Sequence, residues 1–371
     1  MKALIAITLL FIIVLFSGCL GSNSSSTAPT LAFMYAVGQG DNAIRGFSEK
    51  TTGDLAPLPI ASFATSPRPV SIALHPSKNF LYVPNLTSNT VSGFNVDHIN
   101  GVLSPIGTAL PPTPVQSQPV AVGINSTGTF LYVLNQGSAS ISAFSVDTAR
   151  GILTEIAGSP FPTAANPQSM AVSPSAGFLY VGNGALGTVS GFAIAANGTL
   201  AAVAGSPFSA GAGATLAGIT IDPKGQFLFA ADSVNNKIVS FSISSSGVLA
   251  AVAGSPFAAG TKPVAIAVDS TASFLYAANQ GSNNVSAFKI TAGVLAEVSG
   301  SPYAVITTGS IGIPQPSFLI VDVSNTFLYV GNVGTTNISA FGIKSTDGTL
   351  SLLATSPFPQ AIAPIWMATT Q

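Results

Sequence analysis

Short apolar runs separated by turn-forming residues make up most of the chain. Residues 119–156 show the pattern, with apolar runs at 119–124, 130–135, 141–146 and 151–156 and with Gly, Ser, Asn and Asp between them. Runs of this length, bounded by turn residues, predict β-strands. The second run is apolar on both faces, which is typical of a strand that is covered on both sides.

The four-strand unit recurs along the chain. Its signature is Phe-Leu-Tyr-Val-x-Asn in the second run, and copies or variants of it begin at positions 33, 80, 130, 178, 227, 274 and 327. The differences between successive starts are 47, 50, 48, 49, 47 and 53 residues. Four short strands in each period of about 40–50 residues are the sequence form of a β-propeller.

The sequence therefore predicts an all-β fold, a seven-bladed β-propeller over residues 31–371 with four antiparallel strands in each blade. The first copy begins with a second-type strand at Leu31 and has no first strand, whereas a segment starting at Pro364 resembles a first strand. We expect this C-terminal strand to complete the first blade. Closure of the ring in this way removes two sheet edges that would otherwise be open to aggregation.

The first 30 residues have a different pattern. Lys2 precedes an apolar run that is shorter than the roughly 20 residues of a membrane-spanning helix, as in a secretory signal. The run ends at Ser17-Gly18-Cys19, which resembles a bacterial lipobox. We predict a lipoprotein signal peptide at 1–18, a flexible tether at 19–30 and lipidation of Cys19. The protein would then be exported and anchored to a membrane of the cell envelope. The alternative is a plain cleaved signal with an incidental cysteine.

Charged residues are scarce. The chain has 11 Lys+Arg and 12 Asp+Glu among 371 residues, or 6%, whereas a typical soluble domain has about 25%. A net charge of −1 provides no basic face, so nucleic acid is excluded as a partner. Two His and one Cys form no metal-ligand pattern, and we expect neither a metal nor another cofactor. We expect a monomer.

Polar residues cluster at one end of the predicted strands. Antiparallel order places the start of each first strand and the end of each second strand on one face, the channel mouth, where propellers usually bind ligands. The ligand-binding residues predicted at this face are Arg68, Gln118, Asn166, Lys262, Gln315, Asn85, Asn135 and Asn279. Catalytic residues stay unassigned, and the candidates are Arg68 and Asp232. Asp232 replaces the repeat asparagine, so a turn-capping role is the alternative for it.

The Tyr-Val-x-Asn units resemble the YVTN-type propeller repeat. Residues 31–371 resemble the seven-bladed lactonase and cycloisomerase family, which includes 6-phosphogluconolactonase-like propellers. The resemblance implies Arg, His and acidic residues at the mouth, and Arg68 matches a family arginine that precedes an inner strand. Asn85-Leu86-Thr87 stands where an acidic residue is expected. His75 and His98 are expected to be surface residues of turns at the opposite end of the blades.

Three functions remain open on the sequence alone. The first is a binding or interaction protein whose amide-rich mouth takes a small molecule, a glycan or a protein. The alternative is a sugar-lactone hydrolase, 6-phosphogluconolactonase-like or other, with a divergent site in which Arg68 polarises the carbonyl and Asp232 orients water. The third is a structural spacer in an envelope assembly.

We expect Cys19→Ser to abolish incorporation of labelled fatty acid into the full chain expressed in a bacterium, because the acyl groups would attach through this sulfur. The measurement is radioactivity in the purified protein, with Ser22→Ala as a control that should label like the wild type. Equal labelling of Cys19→Ser would show that this residue is not the lipidation site.

Overall fold

A computed structural model describes residues 30–107, 113–174, 177–305, 312–359 and 363–370. The predictions for the signal peptide, most of the tether and Cys19 lie outside the described residues. The described part of the chain contains no helix long and apolar enough to cross a membrane. It forms seven antiparallel sheets whose innermost strands contact one another around a closed ring. The predicted seven-bladed β-propeller is confirmed.

Each blade has four main strands, numbered outwards from the channel. The first strands of blades 1 to 7 are Ala363–Thr369, Ala73–Leu74, Pro119–Ile124, Ser169–Val172, Leu216–Ile221, Pro263–Val268 and Pro316–Val321. The second strands are Thr30–Gln39, Phe80–Asn85, Phe130–Asn135, Phe178–Asn183, Phe227–Asp232, Phe274–Asn279 and Phe327–Asn332. The third strands are Ala43–Lys50, Thr90–Val96, Ser140–Val146, Thr188–Ile194, Lys237–Ile243, Asn284–Thr291 and Asn337–Ile343. The fourth strands are Leu55–Ala64, Leu103–Pro105, Leu153–Glu155, Leu200–Ala202, Leu249–Ala251, Val294–Glu297 and Leu350–Leu352. One 3-10 turn, Gly184–Leu186, follows the second strand of blade 4.

A short fifth strand in blades 2 to 7 pairs with the third strand beyond the end of the fourth, where the sequence predicted only a link. These strands are Thr113–Pro114, Phe161–Pro162, Phe208–Ser209, Phe257–Ala258, Tyr303–Ala304 and Phe358–Pro359. In five of these blades a Ser-Pro pair lies between the fourth and fifth strands, and the serine Oγ accepts a hydrogen bond from a third-strand N–H at 2.9 to 3.1 Å. The serine thus satisfies the third-strand donor where the outer edge is interrupted.

A hydroxyl-to-carbonyl hydrogen bond joins every blade to the next. In six blades the donor is the tyrosine of the Phe-Leu-Tyr signature, and the acceptor is a glycine carbonyl in the turn between the third and fourth strands of the following blade. Blade 5 has Phe229 instead, and Ser240, directly opposite it in the ladder, donates to Gly293. The seven bonds, 2.7 to 3.2 Å long, are Tyr35–Gly101, Tyr82–Gly151, Tyr132–Gly198, Tyr180–Gly247, Ser240–Gly293, Tyr276–Gly348 and Tyr329–Gly53.

The phenylalanine ring of the signature packs against the same seven glycines. Each has a φ between +72° and +83°, and an added Cβ would lie within 2.6 Å of the phenylalanine ring of the preceding blade. Glycine is therefore required both for the backbone conformation and for the close approach. Phe and Tyr lie two residues apart on one strand face, so one face engages the next blade while Leu and Val pack on the previous one.

The C-terminal strand closes the ring as predicted. Ala363–Thr369 pairs antiparallel with Thr30–Gln39 to complete blade 1. Trp366 on this strand stacks on Phe318 of blade 7 with ring centroids 4.4 Å apart. Its Nε1–H donates to the carbonyl of Ile72 in blade 2 at 3.0 Å. One indole thus connects the closing strand to the blades on both sides.

We expect Ser240→Ala to lower the free energy of unfolding by about 1–3 kcal/mol, because the buried carbonyl of Gly293 loses its donor. The double variant Phe229→Tyr/Ser240→Ala recreates the Tyr–Ala pair found in blade 3 between Tyr132 and Ala143. It should recover most of the loss in urea unfolding. A neutral Ser240→Ala, or a double variant no more stable than the single one, would contradict the role given to the bond.

Candidate functional site

Five of the predicted ligand-binding residues stand exposed at the channel mouth. Each precedes a buried proline at the start of an inner strand and has a positive φ, between 51° and 59°. These residues are Arg68, Gln118, Asn166, Lys262 and Gln315. A positive φ is uncommon for residues other than glycine, so contacts of the surrounding backbone have to stabilise it at these positions.

In four of these five residues, both the backbone N–H and the backbone carbonyl make hydrogen bonds that fix the conformation. The backbone N–H of each donates to the Oδ1 of an asparagine in the preceding blade at 2.8 to 3.1 Å, and its carbonyl accepts from the residue after the second strand of its own blade at 2.8 to 3.2 Å. The asparagine partners of Arg68, Gln118, Lys262 and Gln315 are Asn42, Asn89, Asn236 and Asn283. These asparagines were not predicted, although their recurrence four residues after the last position of the Phe-Leu-Tyr-Val-x-Asn signature is a usable signal.

The other three predicted amides lie beneath the mouth surface. Asn85, Asn135 and Asn279 have no exposed surface. Their Nδ2 atoms donate to third-strand serines at 2.9 to 3.0 Å. In this structure the three buried side chains connect the second strand to the third at the mouth.

Asp232 is buried, and its hydrogen bonds give it a structural role. It is 2% exposed. Oδ1 accepts hydrogen bonds from the N–H groups of Thr215 and Asn235, and Oδ2 accepts one from Asn235 Nδ2 at 2.7 Å. Asn236, the next residue of this loop, accepts the bond from the N–H of Lys262. Asp232 therefore orders the loop of blade 5 that positions Lys262.

A cleft of about 280 Å³ opens at the mouth between blades 6 and 7. It brings together Lys262 and Gln315 from the predicted set, and Arg68, Gln118 and Asn166 do not line it. The lining residues are Lys262, Gln280, Gly281, Asn283, Ile313 and Gln315. The lining thus includes one lysine and three residues with neutral amide side chains, beside an exposed isoleucine.

The mouth carries a positive charge although the chain does not. The basic residues at this end of the described blades are Arg45, Arg68, Lys237 and Lys262, and the acidic ones are Asp41 and Asp232. Asp41 pairs with Arg45 at 2.5 Å, and Asp232 is buried. The exposed charges that a ligand meets are therefore those of Arg68, Lys237 and Lys262, which favour anions and developing negative charge.

A larger, mostly apolar cavity of about 460 Å³ lies in the seam between blades 2 and 3. The cavity lies where blade 2 differs in sequence from the other blades. Thr113 pairs with Val91 at a position that holds an aromatic residue in the other six blades: Phe63, Phe161, Phe208, Phe257, Tyr303 and Phe358. The cavity has no charged lining residue and borders positions 108–112, outside the described ranges. We therefore take the mouth cleft as the candidate site.

Both histidines lie in turns at the end opposite the mouth, but one of them is not on the surface. His75 is 4% exposed, with Nε2 2.9 Å from the carbonyl oxygen of Gly128 in blade 3 and Nδ1 2.7 Å from Ser77 Oγ. The expectation of a surface position for His75 is wrong, because its turn packs on the neighbouring blade. His98 is exposed and lies 2.7 Å from Asn79 Oδ1.

The sequence matches the family described as Lactonase, 7-bladed beta-propeller, over residues 24–212 and 199–305. These two matches span most of the chain, and the protein belongs to this lactonase family. The family resemblance drawn from the repeats is confirmed. No curated protein sequence matches the chain.

Several solved structures share the fold. A protein of Bacteroides uniformis, proposed to be a 6-phosphogluconolactonase, is 17% identical with a TM-score of 0.77, covering 91% of this chain and 99% of its own. A similarly described protein of Bacteroides fragilis is 19% identical with a TM-score of 0.74, covering 91% and 97%. The periplasmic gluconolactonase of Pseudomonas aeruginosa is 16% identical with a TM-score of 0.76, covering 91% and 98%. At these identities the likeness shows the fold alone.

Proposed function

We propose that the protein is a sugar-lactone hydrolase that acts in the cleft between blades 6 and 7. The observation that carries the proposal is the position of Lys262, which lines one small cleft together with Gln280, Asn283 and Gln315. Membership of the lactonase family, and the lactonase descriptions of proteins with this fold, support it.

The chemistry follows from the residue types in the cleft. Hydrolysis of a lactone places negative charge on the carbonyl oxygen, and a positioned cation stabilises that charge. Lys262 takes this role, in place of Arg68, because it lies within a cleft. The amides both donate and accept hydrogen bonds and therefore suit the hydroxyl groups of a sugar ring.

The attacking water has no strong base beside it. Neither a carboxylate nor an imidazole is among the described residues that line the cleft. Amide oxygens of Gln280 and Gln315 can orient a water but do not remove its proton. We therefore expect slow turnover, restricted to substrates that are reactive by themselves, as strained ring esters are.

A second candidate function rests on the same observation. A cleft with an ammonium group and amides but no base can bind a sugar acid or its lactone without hydrolysing it. In this case the protein is an exported binding protein, as the first hypothesis from the sequence holds.

The predicted export bears on the substrate under both proposals. A lipid anchor at Cys19 would hold the propeller outside the cytoplasm, where phosphorylated sugar intermediates are not normally available. We therefore propose lactones without a phosphate as the ligands, and glucono-1,5-lactone as the first one to test.

We expect Lys262→Gln to lower kcat/KM for glucono-1,5-lactone by about 10²-fold or more, the usual effect of removing one group that stabilises the oxyanion. The assay is acid release at constant pH, corrected for spontaneous hydrolysis. Lys78→Gln is a matched control, because Lys78 also has a positive φ, of 64°, but lies in a turn at the opposite end of blade 2. This control should leave turnover unchanged.

The remaining outcomes separate the proposals. A larger loss with Arg68→Gln than with Lys262→Gln would contradict the assignment to the cleft and favour the role predicted for Arg68 from the sequence. Saturable binding that depends on Lys262, with no turnover above the spontaneous rate, would favour the binding protein over the hydrolase.

A further inference from the structure

Blade 1 has an acidic residue where the other six blades are apolar. The position is two residues after the phenylalanine of the third strand, and in blade 1 it is occupied by Glu49. The equivalent residues in blades 2 to 7 are Val96, Val146, Ile194, Ile243, Ile290 and Ile343. Glu49 is nevertheless fully buried. A buried carboxyl at an otherwise apolar position of a repeat calls for an explanation beyond folding.

Glu49 lies at the seam where the ring closes. Its Oε1 is 3.0 Å from the hydroxyl of Tyr329 in blade 7. That hydroxyl is also 3.0 Å from the carbonyl oxygen of Gly53, and this second contact is the interblade bond between blades 7 and 1. Among the described residues, the donors of the other six interblade bonds make no hydrogen bond to a carboxyl group.

One hydroxyl proton cannot serve two acceptors fully. If Glu49 is ionised, both its oxygens only accept, and the carboxylate competes with the Gly53 carbonyl for the proton of Tyr329. If Glu49 is protonated, its own O–H can donate to the Tyr329 oxygen, and Tyr329 can donate to Gly53. Only the protonated carboxyl completes the chain of hydrogen bonds across the seam.

The surroundings favour the protonated form. No salt bridge in the described part of the chain reaches Glu49. The nearby charged groups are Asp322 of blade 7 and Asp54 of the blade 1 turn, both acidic.

Burial raises the pKa of Glu49 to about 7 and the charge of Asp322 adds to this, against a smaller lowering by hydrogen bonds from Tyr329 and from Thr369 on the closing strand. The carboxyl would then change its protonation state near neutral pH in the folded protein.

We propose that the seam between blades 7 and 1 is a proton-dependent latch, closed when Glu49 carries a proton and loosened when the carboxyl is ionised. Blade 1 is made from both ends of the chain, so loosening here releases the closing strand rather than a single side chain.

The direction of the pH effect follows from linkage. The folded pKa lies above the ordinary value of 4.5, so the unfolded chain loses this proton first as the pH rises. The stabilisation is complete below pH 4.5 and is lost as the pH rises through 7. The difference in pKa corresponds to an unfolding equilibrium constant about 300-fold larger well above pH 7 than well below pH 4.5, from this group alone.

The test measures urea unfolding and tryptophan fluorescence of the full chain, purified in detergent, between pH 4.5 and 8.5. Trp366 is the only tryptophan and lies on the closing strand, so its emission reports on the seam. The wild type should lose stability progressively between pH 4.5 and 7, and the emission of the folded protein should shift with a midpoint near 7. Glu49→Gln should abolish both changes, because an uncharged amide can donate to Tyr329 at every pH.

Two further variants make the outcome decisive. Glu49→Val copies blades 2 and 3 and should also be independent of pH, which covers the case that Glu49→Gln does not fold. Glu155→Gln removes an exposed carboxyl of blade 3 and should behave like the wild type. A wild-type profile without a transition near pH 7, or one that persists in Glu49→Gln and Glu49→Val, would overturn the proposal.

Discussion

The hydrogen bond from one blade to the glycine carbonyl of the next is the interaction on which the rest of the structure depends. A tyrosine hydroxyl that is buried between two sheets needs an acceptor. The acceptor lies in a turn of the following repeat, so each unit of about 50 residues is satisfied only by its neighbour. The ring must close for the last donor, Tyr329, to find Gly53. Blade 5 has Phe229 at the tyrosine position, and there the hydroxyl of Ser240 donates the interblade bond. The bond is therefore kept although its donor differs.

The fold could be predicted from the sequence because this interaction requires a fixed signature in every repeat. Phe and Tyr must share one strand face, and Leu and Val the other, which produces an apolar run that is easy to find. The same alternation explains why Asn85, Asn135 and Asn279 are buried beneath the mouth. Asn85 is two residues after Val83 and therefore lies on the face that packs against the previous blade, where it is buried. The position of Asn85 at a strand end suggested an exposed side chain. The alternation of side chains along the strand instead places it on the face that the previous blade covers.

The candidate site was harder to predict because its residues come from different blades. The inner-strand signal placed Lys262 and Gln315 at the mouth correctly, but it did not show that these two share a cleft while Arg68 lies outside it. That arrangement depends on the loop of Gln280 and Asn283, which varies in sequence from blade to blade. The positive φ values of the mouth residues were not predicted either, because the asparagines that hold four of these five residues lie in the preceding blade.

Departures from the repeat carry most of the information about function. Because charged residues are scarce, few partners are near an ionisable group that occupies a position apolar in the other blades. In our proposal the carboxyl of Glu49 completes its hydrogen bonds only when it is protonated. The closing strand beside it starts at Ala363 on the mouth and ends at Thr369 near Glu49, and Trp366 between them contacts both blade 7 and blade 2. These two blades present Gln315 and Arg68 to the mouth. A change in how firmly this strand is held would therefore act on both sides of the mouth at once, through a single element.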